Sequence, residues 1–184
     1  NCDDLQNGGK TLTNGDIVNL TEKCIINTTS IINLNGIDLS IIGANDQIQQ
    51  IEFNTNQQHL FQINDGSSLT LKNIEIESPK EISTNETLIS IFYLSNSSIL
   101  TLNNVQFKNN IIDTDDYLYI DYIIYSPESH TSSSINITDS IFDANFAVLT
   151  DTIYIKGTKD TDDCSSSQVS VTNTIYNEMS IVKQ

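Results

Sequence analysis

Leu69-Thr70-Leu71-Lys72-Asn73-Ile74-Glu75-Ile76 is one copy of a pattern that recurs along the chain, apolar-x-apolar-x-Asn/Asp-x-x-apolar. The next copies are Leu100-Thr-Leu-Asn-Asn-Val-Gln-Phe107, Ile135-Asn-Ile-Thr-Asp-Ser-Ile-Phe142 and Val169-Ser-Val-Thr-Asn-Thr-Ile-Tyr176. A divergent copy comes earlier, Leu39-Ser-Ile-Ile-Gly43, with Gly where the others carry Asn or Asp. The starts, at 39, 69, 100, 135 and 169, are separated by 30, 31, 35 and 34 residues. So narrow a period marks a repeat architecture, each unit burying its apolar face against its neighbours.

Strict alternation, as at Leu69-x-Leu71, predicts a strand with one buried face. Asn73, Asn104, Asp139 and Asn173 stand where that strand stops. Asn and Asp tolerate left-handed backbone and bond to their own turn, so they make a corner, and stacking the repeats lines them into a ladder. Gly43 is expected to take the same left-handed conformation without steric cost. A short strand follows each corner. A third precedes each copy, at Ile32–Leu34, Leu60–Ile63, Ile91–Leu94, Ile123–Tyr125 and Ile153–Ile155. From the end of that strand to the next copy the intervening residues number 4, 5, 5, 9 and 13. Insertions collected at one corner are what a solenoid tolerates.

Three short strands per period joined by sharp corners predict an all-β chain, a right-handed parallel β-helix of about six coils. Its domain spans residues 14–184, and residues 1–13 form an N-terminal segment and partial cap. A sandwich of antiparallel hairpins is the rival, but it calls for varied turns rather than one recurring Asn corner.

At this point the residues resemble a known superfamily. Asn14-Gly-Asp-Ile-Val-Asn-Leu20, Ile31-Ile-Asn-Leu34 and Leu39-Ser-Ile-Ile-Gly-Ala-Asn45 are similar to the opening of pectin-lyase-like parallel β-helix proteins, and Phe61–Ile76 looks like their second coil. Phe107-Lys-Asn-Asn110 and Phe142-Asp-Ala-Asn145 resemble the Phe-x-x-Asn corners of polymorphic outer-membrane-protein repeats, whose companion Gly-Gly-Ala-Ile motif is absent. The resemblance implies the fold. It does not select a function, because this architecture carries lyases, hydrolases, adhesins and fibres.

Composition narrows the choice. The net charge is −16, with eight Lys and no Arg. Nucleic acid needs cations to displace its counterions, so it is not an expected partner. No apolar run reaches the length of a membrane span. The resemblance implies that enzymes of this fold use an Arg or Lys base, or clustered Asp with Gly-His-Gly. Here Arg is missing, and His59 and His130 lack flanking glycines. The expectation is a protein that is not an enzyme.

Five sequons, at Asn19, Asn27, Asn85, Asn96 and Asn136, point to a secreted or cell-surface glycoprotein. Cys2 and Cys24 are expected to form a disulfide near the start. Cys164 is left over, either free, paired between chains, or paired with a segment outside this sequence. The chain begins at Asn1 and its one Met is Met179, which reads as a processed chain or an excerpt.

Two acidic clusters, Asp113, Asp115 and Asp116 and then Asp160, Asp162 and Asp163, are dense in oxygen ligands. They are candidate Ca²⁺ ligands, with solvated acidic loops as the plainer reading and no cofactor otherwise demanded. Tyr117, Tyr119, Tyr122 and Tyr125 are candidates for a subunit interface or for stacking on sugar rings. The thin N-terminal cap and the strand-like apolar C-terminal stretch, Ile175–Gln184, predict head-to-tail self-association. The expected function is a structural subunit of an extracellular fibre or surface coat. The alternative is an adhesin, or a β-helix protein that binds or cleaves polysaccharide.

Overall fold

A computed structural model describes residues 1–9, 11–28, 30–55, 57–64, 66–77, 89–95, 97–108, 120–126, 133–143, 148–155, 168–176 and 181–183. The described chain is all-β apart from two short 3-10 turns, at Cys2–Gly8 and Ala44–Asp46. The strands, in chain order, begin with β1 (Asp16–Leu20), β2 (Cys24–Thr28), β3 (Ile32–Leu34), β4 (Asp38–Gly43), β5 (Gln49–Thr55) and β6 (His59–Ile63). They continue with β7 (Ser68–Glu77), β8 (Ser90–Leu94), β9 (Ile99–Lys108), β10 (Ile120–Ser126) and β11 (Ser134–Thr138). The remainder are β12 (Ile141–Phe142), β13 (Val148–Ile155), β14 (Gln168–Thr172), β15 (Ile175–Tyr176) and β16 (Ile181–Lys183).

Every pairing between them is parallel, and each strand pairs with its equivalent one period away. The first row is β1-β4-β7-β9-β11-β14. The second runs β2-β5, through the second halves of β7 and β9, to β12-β15. These two rows share one sheet. The third row, β3-β6-β8-β10-β13-β16, is a separate sheet. Register matches the repeat residue for residue, with Leu39 beside Leu69, Leu69 beside Leu100, Leu100 beside Ile135 and Ile135 beside Val169.

Register alignment also fixes the core. Val18, Ile41, Leu71, Leu102 and Ile137 form one buried column of the first row. Each such side chain contributes about 1.5–3 kcal/mol by leaving water. Phe61 stacks on Phe92 at 5.7 Å within the third row, and Phe107 stacks on Phe142 at 4.7 Å within the second. Phe92 meets Phe107 edge-on at 6.3 Å, which ties the two sheets across a common interior.

The corners work as the sequence predicts, with one correction. Asn73, Asn104, Asp139 and Asn173 have φ of 56°, 53°, 52° and 48°. A left-handed residue shifts the phase of alternation, so Leu69 and Leu71 are buried before it and Ile74 and Ile76 after it. Gly43 does not share this conformation. Its φ is −65°, and the left-handed residues are Asn45 and Asp46 in the following 3-10 turn. Glycine is required there for room, since a Cβ would run into the carbonyl oxygens of Asn73 and Gln47. The Gly36 and Gly66 turns do have positive φ, 67° and 70°.

Candidate functional site

Several polar side chains of the described residues join one period to the next. At the Asn corner the Asn104 amide donates to the Asn73 side-chain oxygen at 2.9 Å, and the Asn173 amide donates to the Asp139 carboxylate at 3.2 Å. At the turn before the first row, buried serines do the same work. The Ser67 hydroxyl donates to the Leu34 carbonyl (3.1 Å), that of Ser98 to Ile63 (2.6 Å) and that of Ser133 to Ser95 (2.9 Å). Serine suits these positions because it is small and its buried hydroxyl finds an acceptor in a carbonyl of the neighbouring period.

Along the third row lies an aromatic column. The register places Tyr93 beside Tyr125 and Tyr125 beside Tyr154. Ring centroids are 6.1 Å apart for the first pair and 5.4 Å for the second. Tyr122 stacks on Tyr125 at 4.8 Å and lies 5.3 Å from Tyr154. His59 closes the column at 4.6 Å from Tyr93, its Nδ1 2.8 Å from the Ser90 hydroxyl. Burial pushes the His59 imidazole down to about 4, so it is neutral at pH 7. Tyr122 and Tyr125 thus spend ring faces on each other and on neighbouring tyrosines. Tyr117 and Tyr119 lie outside the described residues. Tyr93, Tyr154 and His59 escape a reading of the local Tyr117–Tyr125 stretch. Alignment of the third strands, Ile91-Phe-Tyr93 with Ile123-Ile-Tyr125 and Ile153-Tyr154, is the signal that finds the two tyrosines.

The second row carries ions on its outer side. The Lys23 ammonium contacts the Glu52 carboxylate at 2.6 Å and that of Glu77 at 3.0 Å. The hydrogen bond to Glu52, joined by Glu77, holds the Lys23 amine above its usual range against a lesser opposing effect of burial. Lys108 lies 3.4 Å from Glu75, which also accepts from Gln50 at 3.3 Å. Sequence inspection missed this group, because each contact joins residues 25 or more apart that meet only through the register.

Cys2 and Cys24 form the expected disulfide, with Cα atoms 5.4 Å apart. Of the sequons, Asn19 is exposed on β1 and Asn27 is exposed on β2. Asn136 is half-buried on β11, where its amide reaches the Ser134 hydroxyl at 3.4 Å. Asn85, Asn96, Cys164 and the acidic residues Asp113, Asp115, Asp116, Asp160, Asp162 and Asp163 lie outside the described residues. Among the described residues no group of three or more His, Cys, Asp or Glu side chains is placed to hold a metal ion. No described helix is long and apolar enough to cross a membrane.

No protein-family model matches this chain, and neither a curated protein nor a solved structure matches it.

Proposed function

We propose that the three parallel rows wind as one right-handed parallel β-helix of the pectin-lyase-like kind, and that the chain is a non-enzymatic structural subunit of an extracellular fibre or cell-surface coat. One observation carries this reading: hydrogen bonds between side chains, and from side chains to backbone, run from period to period at the Asn corner and at the serine turn. That is the bonding of a rod whose strength lies along its length. A coil advances by about 4.8 Å, the spacing between neighbouring strands. Subunits of such a rod extend it by pairing end to end, and contact without closure gives a filament. The sequons at Asn19, Asn27 and Asn136 fit a secreted glycoprotein, since all three lie on strands with accessible side chains.

Electron microscopy of the purified chain across concentration and salt, with its disulfide intact and reduced, tests the assembly. Filaments one subunit wide are expected. Dispersed particles under every condition would sink the reading. Site-by-site mass spectrometry of glycopeptides tests secretion separately, through occupancy at the sequons.

A further inference from the structure

Among the described residues, strands β1, β2 and β3 each pair on one side only, so together they form an edge of the described sheets. The N-terminal 3-10 turn, Cys2–Gly8, lies against this edge. Leu5 is fully buried and Leu12 nearly so, both within the core cluster. Gly9, with φ 66°, lies between them in left-handed backbone, where a Cβ would press on the Leu12 side chain.

The contact made by Gln6 is specific. Its side-chain nitrogen donates to the Ile25 carbonyl at 2.6 Å, and its side-chain oxygen accepts from the Asn27 N–H at 3.1 Å. Those two groups flank Ile26 on β2. They are the pair that one residue of a neighbouring parallel strand would engage, donating to the residue before its partner and accepting from the residue after. The Gln6 amide therefore stands in for the backbone of a missing strand. The disulfide from Cys2 to Cys24, itself in β2, ties the turn in place.

At the opposite edge, β14 pairs only with β11 among the described residues. Val171 there continues the column of Val18, Ile41, Leu71, Leu102 and Ile137. It is 38% exposed, whereas the other five are at most 2% exposed. The two edges have the same strand direction and the same side-chain phase.

We propose that the Cys2–Gly8 turn, together with Leu12, is a plug that closes the β1–β3 edge to a second copy of this chain, and that its release lets the β14–β15 edge of that copy pair there, Val171 seating on Val18. Exposed edges are templates for strand addition, and a cover over them is a known means of blocking it. The inference rests on the end-to-end reading proposed above. It adds that assembly is gated, and names the gate.

The test uses the full chain. The triple variant Cys2→Ser, Cys24→Ala, Gln6→Ala removes the tether and the strand-mimicking amide. As a second route, a dithiol reductant opens the wild-type disulfide. The disulfide gains two electrons and two protons to become two thiols, while the reductant closes to its cyclic disulfide. Circular dichroism reports the fold, sedimentation velocity the association, and hydrogen exchange the Asn27 amide. With a net charge of −16, copies repel, so added salt should strengthen any association. The expected result is that oxidised wild type stays a single species while a released form associates at least about tenfold more tightly, a gain of about 1.4 kcal/mol. Equal association of plugged and released chains overturns the plug and leaves end-to-end assembly standing. A released chain that stays single although its Asn27 amide has lost protection overturns end-to-end assembly, and the plug's role with it. An Asn27 amide equally protected after release overturns the plug directly.

Discussion

The Asn104 side-chain amide donates to the Asn73 side-chain oxygen at 2.9 Å, and both residues hold left-handed backbone, φ 53° and 56°. One residue type thus meets two demands, a conformation most side chains resist and a bond to the next period.

Substitution at Asn104 separates the two. Asn104→Gly keeps the backbone free but loses the bond, at a cost of about 1 kcal/mol. Asn104→Ala loses the bond and also meets the left-handed penalty, bringing the total to about 2–3 kcal/mol. Urea unfolding should rank wild type above Gly and Gly above Ala. Equal midpoints for the two variants would show that backbone conformation is not what selects Asn.

Gly43→Ala tests crowding rather than conformation, since φ at Gly43 is ordinary and the obstruction is backbone oxygen from Asn73 and Gln47. Backbone cannot swing aside as a side chain can. Destabilisation of about 1–3 kcal/mol is expected, as for overpacking. Gly36→Ala is the contrasting variant, with open space around its Cβ but φ of 67°. Its cost should be about 1 kcal/mol. Thermal melting of the pair shows whether crowding exceeds conformational strain.

His59 sets a pH dependence. Burial lowers its pKa from 6.5 to about 4 in the folded chain. Between these values the unfolded chain binds more protons than the folded one, so stability falls as pH drops from 6.5 towards 4 and levels off below that. The full effect is about 3 kcal/mol. Denaturant titrations across this window should show the slope in wild type and lose this contribution in His59→Gln. A wild-type imidazole that titrates near 6.5 by NMR would contradict the burial seen here.

Lys23→Met leaves Glu52 and Glu77 facing each other across neighbouring strands with their shared cation gone. A loss of about 1 kcal/mol is expected, because Lys23 itself is partly exposed. The loss should shrink as salt screens the two carboxylates. A loss independent of ionic strength would assign the effect to the packing of the lysine stem instead.

Much of the backbone was legible in the sequence because its determinants are local. Alternation at Leu69 and Leu71 fixes a buried face, and Asn or Asp two residues on fixes a corner. The distances between repeat starts then coincide with the register itself. Gly43 was misjudged because a glycine's tolerance of positive φ is visible in sequence, while the approach of Asn73 from the next period is not. Gln6 was passed over for a related reason, since the peptide groups it satisfies belong to Ile25 and Asn27. The tyrosine column and the Lys23 group also depend on register between periods, with inserts of unequal length intervening. The acidic clusters and Cys164 fall outside the described residues, so the structure neither assembles nor disperses them.

The aromatic column also gives the protein an optical signature. The chain has seven tyrosines and no tryptophan. Four of those tyrosines, Tyr93, Tyr122, Tyr125 and Tyr154, neighbour one another within 6.1 Å. Transition dipoles so close couple, so the near-ultraviolet dichroism of the folded chain should come largely from three adjacent strands, β8, β10 and β13. Fraying that starts at β1 or β14 would leave this band intact until it reached them, so that tyrosine light reports the order in which the strands separate.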